Sequence, residues 1–454
     1  MLQFRHVLPA VLAIFLFSFT AIETAAKELP KSNPQREGVS QQRLDRITVH
    51  MNQAVEDGLM VGGMGMVARN GKIIYNEVYG QADREANRGM TEDGLYRIYS
   101  MSKPVVSVAL MMLYEEGRLF LNDPVAKYIP ELANLQVSVA TADGVTKMAS
   151  DGTNNTSSST TDADDTGLTR KAKSQPTVRD LMRHTAGFSY GVFGNTEVDI
   201  MYREANILRN KDLKEFVTEL GKIPLMFDPG TQWHYSVSVD VMGRVIEAVS
   251  GMSLGEFLEQ RIFAPLDMDD TAFTVPSAKM DRLVQMYSPE GIGEGAMAFL
   301  KPPTSSKLVP TPVEMSNDFM EGATFQSGGG GLVSTARDYM RFSQMMLNQG
   351  ELNGERLLSR KSVELMTTDH MSGVEHPFAG GRVGFGLGFA VALDQGAVGE
   401  LGSKGEFNWG GAAGTKFWID PKEQLIGLFM VQSIPDLNGL GKVFKLLTYQ
   451  SIDD

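Results

Sequence analysis

The chain of 454 residues contains no cysteine. That excludes disulfides, a thiolate metal site, a cysteine nucleophile and a lipid-modified cysteine behind an N-terminal leader. Histidine is scarce, with six residues. They are scattered and form no His-Glu-x-x-His pair, so no metal site is expected and no cofactor is implied. Positive charge is in deficit: Lys and Arg number 42 against 55 Asp and Glu, a net charge of −13. Without a basic stripe, an acidic chain is a poor ligand for a phosphate backbone, and nucleic acid is excluded as a partner; the acidity itself reads as solubility. Apolar runs long enough to span a bilayer are missing as well. The longest, Val7 to Ile22, falls short of the roughly 20 residues a spanning helix needs.

What is there begins with that run. Arg5 and His6 precede it, and the small residues Thr24, Ala25 and Ala26 follow. This is the layout of a secretory leader, residues 1–26, cleaved after Ala26, which implies export to the periplasm or beyond; the rival reading is an uncleaved anchor. Residues 27–454, with 42% apolar and 21% charged residues in the chain as a whole, have the composition of a globular domain. One stretch is out of character: residues 140–174 are rich in Ser, Thr, Asp and Gly without apolar spacing and read as an irregular insertion.

Periodicity gives the architecture. Gln41 to Glu56 carries apolar residues at helical spacing. Gly62–Ala68 and Lys72–Tyr79 flank Asn70-Gly71, a hairpin signal. Ser102 to Glu116 is apolar on nearly every side, a buried helix closed by Gly117. Helical patterns follow at Val178–Arg183, Lys211–Leu220, Val237–Val249 and Leu254–Ile262. Strands return at Phe385–Leu393, Gly414–Ile419 and Leu425–Val431, and Leu440–Tyr449 closes as a helix. The expected class is α+β: an antiparallel sheet built from both ends of the chain, flanked by helices, with a mostly helical region inserted between.

Ser100-Met101-Ser102-Lys103 stands at the start of the buried helix. Residues three apart share a helix face, so Lys103 Nζ can approach Ser100 Oγ. A serine hydroxyl is a weak nucleophile and needs such a base nearby, and a helix start offers N–H groups to an oxyanion. About one chance Ser-x-x-Lys is expected in a chain this long, and this is the single match. Two rivals fail on context. Gly187-Phe188-Ser189-Tyr190-Gly191 fits the Gly-x-Ser-x-Gly elbow, but a helical pattern precedes it where a strand is required. Ser327 to Gly331 is glycine-rich without a following Lys-Ser/Thr, which points to a tight turn or close backbone approach rather than a phosphate loop.

Read together, Ser100–Lys103, Tyr114–Leu119 (YEEGRL), Thr177–Gly187 (TVRDLMRHTAG), Pro229–Ser236 (PGTQWHYS), Gly328–Asp338 (GGGGLVSTARD) and Asn408–Gly414 (NWGGAAG) resemble, in order, the motifs of the class C β-lactamase-like serine hydrolase superfamily. The resemblance implies the β-lactamase/penicillin-binding-protein fold, an acyl-enzyme on Ser100, and Lys103 with Tyr235 sharing the base role in a proportion left open. It implies Trp409-Gly410-Gly411 as third motif, with the N–H groups of Ser100 and Ala412 as oxyanion donors. Two departures carry meaning. Val237 replaces the Asn of Tyr-x-Asn, and Trp409 stands where Lys or His usually pairs with a substrate carboxylate. An indole instead offers an apolar face, unless it is merely a buried structural ring. Both changes resemble family VIII carboxylesterases and imply a small-molecule ester rather than an anionic amide. A β-lactamase or D-alanyl-D-alanine carboxypeptidase, a catalytically inactive ligand-binding relative, and acyl transfer stay open as alternatives. The oligomeric state is not encoded in any of these features.

Overall fold

A computed structural model of the chain describes residues 28–139, 169–292, 305–312, 319–320, 322–374 and 382–454. The leader, most of the insertion and His376 lie outside the described residues.

Helix α1 (Gln41–Glu56) starts at Ser40, whose hydroxyl accepts from the Arg43 N–H, and it buries Leu44, Ile47, Met51 and Ala54 along one stripe. Strands β1 (Gly62–Arg69) and β2 (Lys72–Asp83) then form the expected hairpin. Asn70 and Gly71 both take left-handed backbone, φ 54° and 74°, which suits the right-handed twist of the flanking strands. With β3 (Arg88–Gly89), β4 (Val383–Phe385), β5 (Ala390–Ala392), β6 (Phe407–Gly410), β7 (Lys416–Asp420) and β8 (Leu425–Val431) they make one antiparallel sheet. Its order is β4-β5-β6-β7-β8-β1-β2-β3. The two ends of the chain therefore meet at the β8–β1 seam, where Gly63 faces Val431 and Arg69 faces Leu425.

Both faces of this sheet are covered, which is why β1 and β8 are buried along their whole length. On the outer face α1 and the last helix pack on Val67, Trp418 and Phe429. Gly427 lies under the Trp418 ring, in space a β-carbon would have to share with the indole. On the inner face Met64, Met66, Phe417 and Leu428 join the main core. That core is built on α2 (Ser102–Glu115), buried at every position from Ser102 to Leu113 and followed by Gly117 in the left-handed conformation, φ 69°. Helices α3 (Val178–Met182), α4 (Glu197–Glu204), α5 (Leu213–Leu220), α6 (Ser238–Ser250), α7 (Leu254–Leu258) and α8 (Ala336–Leu347) supply the helical region. Short α9 (Arg360–Met366) and α10 (Gln395–Val398) precede the closing α11 (Leu440–Tyr449).

Helices α4, α8, α9 and α10 have no counterpart in the sequence reading, and three segments that it did assign differ. Phe385–Leu393 is a hairpin rather than one strand: the chain reverses through Gly386 to Gly388, whose φ of 97° no strand tolerates. The helix from Leu254 changes to a π turn at Glu259–Phe263. The irregular insertion also ends sooner than expected, since Thr169–Lys171 pairs antiparallel with Gln136–Ser138. Apolar spacing could not reveal that strand, because its side chains are only partly covered. Among the described residues no helix is long and apolar enough to cross a membrane, and no group of His, Asp or Glu could hold a metal.

Candidate active site

The residues leading into α2 are fixed by the far segment they pair with. Tyr96–Arg97 pairs antiparallel with Val333–Ser334, the Ile98 N–H donates to Leu332 O at 3.0 Å, and the Leu332 N–H donates to Ser102 Oγ at 3.1 Å. Between these anchors Tyr99 adopts φ 42°, a conformation that costs a bulky residue about 1–3 kcal/mol. Its ring is held edge-on to Phe319 at 5.5 Å. The strained step turns the chain from strand into a 3₁₀ turn, Tyr99–Met101, and presents Ser100, partly exposed, at the mouth of the buried helix.

Lys103 lies one helical turn on and is 2% exposed. Its Nζ is 3.1 Å from Ser100 Oγ, the spacing the Ser-x-x-Lys pattern implied, and donates to Gly329 O at 2.5 Å. Two aromatic faces cover the remaining side: Tyr235 at 4.6 Å and Tyr190 at 5.2 Å from ring centroid to Nζ. The glycine run from Ser327 makes the close backbone approach its composition suggested. A β-carbon on Gly329 would sit 2.5 Å from Asp240 Oδ2 and 2.6 Å from Tyr190 Oη, so only glycine lets this carbonyl reach the lysine.

Tyr235 is the centre of an aromatic cluster. Its ring lies 4.8 Å from His184, 5.4 Å from Tyr190, 5.5 Å from Trp409, 5.7 Å from Phe193 and 6.0 Å from Trp233. Trp409 Nε1–H donates to Tyr235 Oη at 3.3 Å. Trp409 is therefore not a wholly buried structural ring; it is part-exposed beside the tyrosine. Val237 is turned fully into the main core, so this chain offers no polar side chain in the place of the missing Asn.

At the end of β6, Gly410 pairs with Lys416, and the Gly411 N–H donates to Thr415 O at 2.8 Å. A β-carbon on Gly411 would fall well inside 3.0 Å of both Ile98 O and Thr415 Oγ1. Glycine there lets the third-motif strand press against the backbone two residues before Ser100. Ala412 follows, exposed, and among the described residues its N–H has no acceptor. An N–H free at this place is suited to a developing oxyanion.

Two residues of the site escaped the sequence reading. Asp240, in α6, accepts from Ser327 Oγ at 2.5 Å and from the Gly329 N–H at 3.0 Å. Burial pushes its carboxyl above the usual range, against the pull of the Ser327 hydroxyl and the Lys103 charge. Tyr190 packs partly buried against the main core, and that desolvation together with the Asp240 charge holds it as a phenol, well above the ordinary tyrosine range. Asp240 lies five residues after Tyr235, and Tyr190 lies inside the rejected Gly-x-Ser-x-Gly match. Neither position carries a periodicity signal. Behind Tyr235, His184 sits in left-handed backbone, φ 58°, its Nδ1 3.4 Å from Ser236 Oγ. Burial, then the charge of Lys103, drives its pKa well below that of a free imidazole.

Ser189 has another task. It is fully buried, follows α3 and not a strand, and donates to Asp199 Oδ1 at 2.6 Å while accepting from the Gly191 N–H at 2.9 Å. His234 Nε2 stands 3.5 Å away, but the hydroxyl proton already goes directly to the carboxylate. A triad needs the histidine between the two.

The beta-lactamase family profile matches residues 49–439. Protein Rv1367c of Mycobacterium tuberculosis is 31% identical over 405 residues, 87% of this chain and 91% of its own length. Esterase EstB of Burkholderia gladioli is 30% identical over 387 residues, covering 83% and 86%. The structure of EstCE1, described as a hydrolase with promiscuous acyltransferase activity, superposes with a TM-score of 0.70 at 23% identity, covering 91% of this chain and 99% of that one. The ordered motifs, the sheet joined from both chain ends and these matches agree: the chain belongs to the beta-lactamase family.

Proposed function

We propose that the chain is a carboxylic ester hydrolase working through an acyl-enzyme on Ser100. The observation that carries the reading is the joint placement of Lys103 Nζ, 3.1 Å from Ser100 Oγ, and of Trp409, hydrogen-bonded to Tyr235, in the third-motif place. Ser100 Oγ attacks the ester carbonyl while its proton passes to Lys103 and Tyr235. The N–H groups of Ser100 and Ala412 take the oxyanion, the alcohol leaves with the proton, and water cleaves the acyl-enzyme. Gly329 O holds the lysine in place, and Asp240 holds Gly329 by accepting from its N–H. The indole cannot pair with a carboxylate, and Val237 provides no amide hydrogen bond, so a neutral ester suits the site better than a β-lactam or peptide. That EstB is an esterase supports the same choice.

Purified protein should cleave p-nitrophenyl butyrate rapidly and nitrocefin slowly, and Ser100→Ala should abolish both. Nitrocefin turnover as fast as ester turnover would replace this reading with a β-lactamase or peptidase. Failure of a fluorophosphonate probe to label Ser100 would indicate an inactive ligand-binding relative. Export behind residues 1–26 belongs to the same proposal, and N-terminal sequencing of protein recovered outside the cytoplasm tests it.

A further inference from the structure

Phe193 is a large apolar ring left 52% exposed beside the two tyrosines that cover Lys103. Isolated exposed apolar side chains are ordinary, so the inference rests on how this one is held. Among the described residues its ring stands beside two others, Tyr235 at 5.7 Å and Tyr190 at 5.9 Å, the pair that flanks Lys103 Nζ. The loop carrying it is tied down on both sides. Ser189 binds Asp199, and Arg203 reaches back from α4 to the carbonyls of Gly191 and Gly194 and to Asn195 Oδ1 at 2.7 Å. Gly191 and Gly194 allow this close packing, since β-carbons there would meet Tyr202 Cβ at 2.6 Å and Asp199 Oδ2 at 2.5 Å. A half-exposed ring on an anchored loop keeps a fixed apolar face, continuous with Tyr235 and, beyond it, with Trp409.

We propose that Phe193 is a specificity-determining residue: its open face receives the apolar arm of the ester, so the site selects esters with an arm long or wide enough to cross Tyr235 and cover this ring. This rests on the esterase reading above. It also gives the Gly187–Gly191 segment a role, with Ser189 as the tether that positions Phe193.

The test compares kcat/KM for wild type, Phe193→Ala, Phe193→Gln and Phe193→Leu, with all esters below their solubility limits. One series keeps p-nitrophenol and varies the acyl group from acetate to octanoate. The other keeps acetate and varies the alcohol from ethyl to naphthyl. The long-to-short selectivity ratio should fall about tenfold in one series for Phe193→Ala and Phe193→Gln, chiefly through KM, with Phe193→Leu keeping most of it. The responding series identifies the arm. An equal loss on short and long esters would mean that Phe193 merely packs Tyr235, and an unchanged ratio would mean that no arm reaches it; either overturns the proposal. In a parallel series with the long esters emulsified above their solubility limits, selectivity that the variants lose there and not in solution would overturn it in favour of docking at a lipid–water interface. If the wild type cleaves no ester, the functional reading itself fails, a result distinct from all of these.

Discussion

Gly411→Ala tests the join between the two halves of the site. The added methyl would lie well inside 3.0 Å of Thr415 Oγ1 and Ile98 O. The threonine hydroxyl is the end of a side chain and can rotate away. The Ile98 carbonyl cannot: it is backbone, and it accepts from the Met101 N–H at 3.0 Å within the turn that holds Ser100. Restoring an ordinary contact requires the end of β6 to move away from residues 98–100 by about 1 Å, and a misplacement of that size lowers kcat about 100-fold. The cost in stability is that of modest overpacking, about 1–3 kcal/mol. Gly410→Ala is the matched control, because its β-carbon would come 3.1 Å from Thr415 O, a contact relieved by a few tenths of an ångström. Initial rates on p-nitrophenyl butyrate, with thermal unfolding alongside, separate the two costs. A folded Gly411→Ala enzyme with wild-type kcat would refute the reasoning, showing that the Ala412 N–H is not placed by this contact or does not serve the oxyanion.

Exchanging the two candidate serines should split activity from stability. Ser100→Ala should end turnover without lowering the unfolding midpoint. Ser189→Ala, which removes the hydroxyl that Asp199 Oδ1 and the Gly191 N–H share, should lower stability by about 1–3 kcal/mol and keep most of the turnover on a short ester. Acid should destabilise the fold through its histidines. Burial lowers the folded-state pKa of His184, His234 and His370, so their contribution is fully present above about pH 6.5 and is lost as the pH falls through the lowered values. Where unfolded imidazoles are charged and folded ones are not, each histidine adds about 1.4 kcal/mol per pH unit to the slope. Chemical denaturation between pH 7 and 5 measures it, and a flat profile would contradict the burial argument.

Much of this protein was legible in its sequence because local rules governed it. Asn70-Gly71 dictates its hairpin, the apolar residues on nearly every side of Ser102–Glu116 dictate a buried helix, and three-residue spacing puts Lys103 within reach of Ser100. What the chain lacks was equally informative, since the absence of cysteine removes every thiolate as nucleophile or metal ligand. Tertiary structure decided the rest, because the deciding contacts join residues far apart in the chain. Gly329 is 226 residues from the lysine it binds, and Trp409 is 174 residues from Tyr235. Asp240 and Tyr190 gave no periodic signal, yet burial against Lys103 makes them part of the site. Ser189 carried the louder motif and became a tether, because a serine acts as nucleophile only where the fold leaves its hydroxyl a base and an open approach. A sequence lists the groups able to react; which of them share a dielectric, a distance and a path to substrate is fixed only when the sheet closes from both ends of the chain.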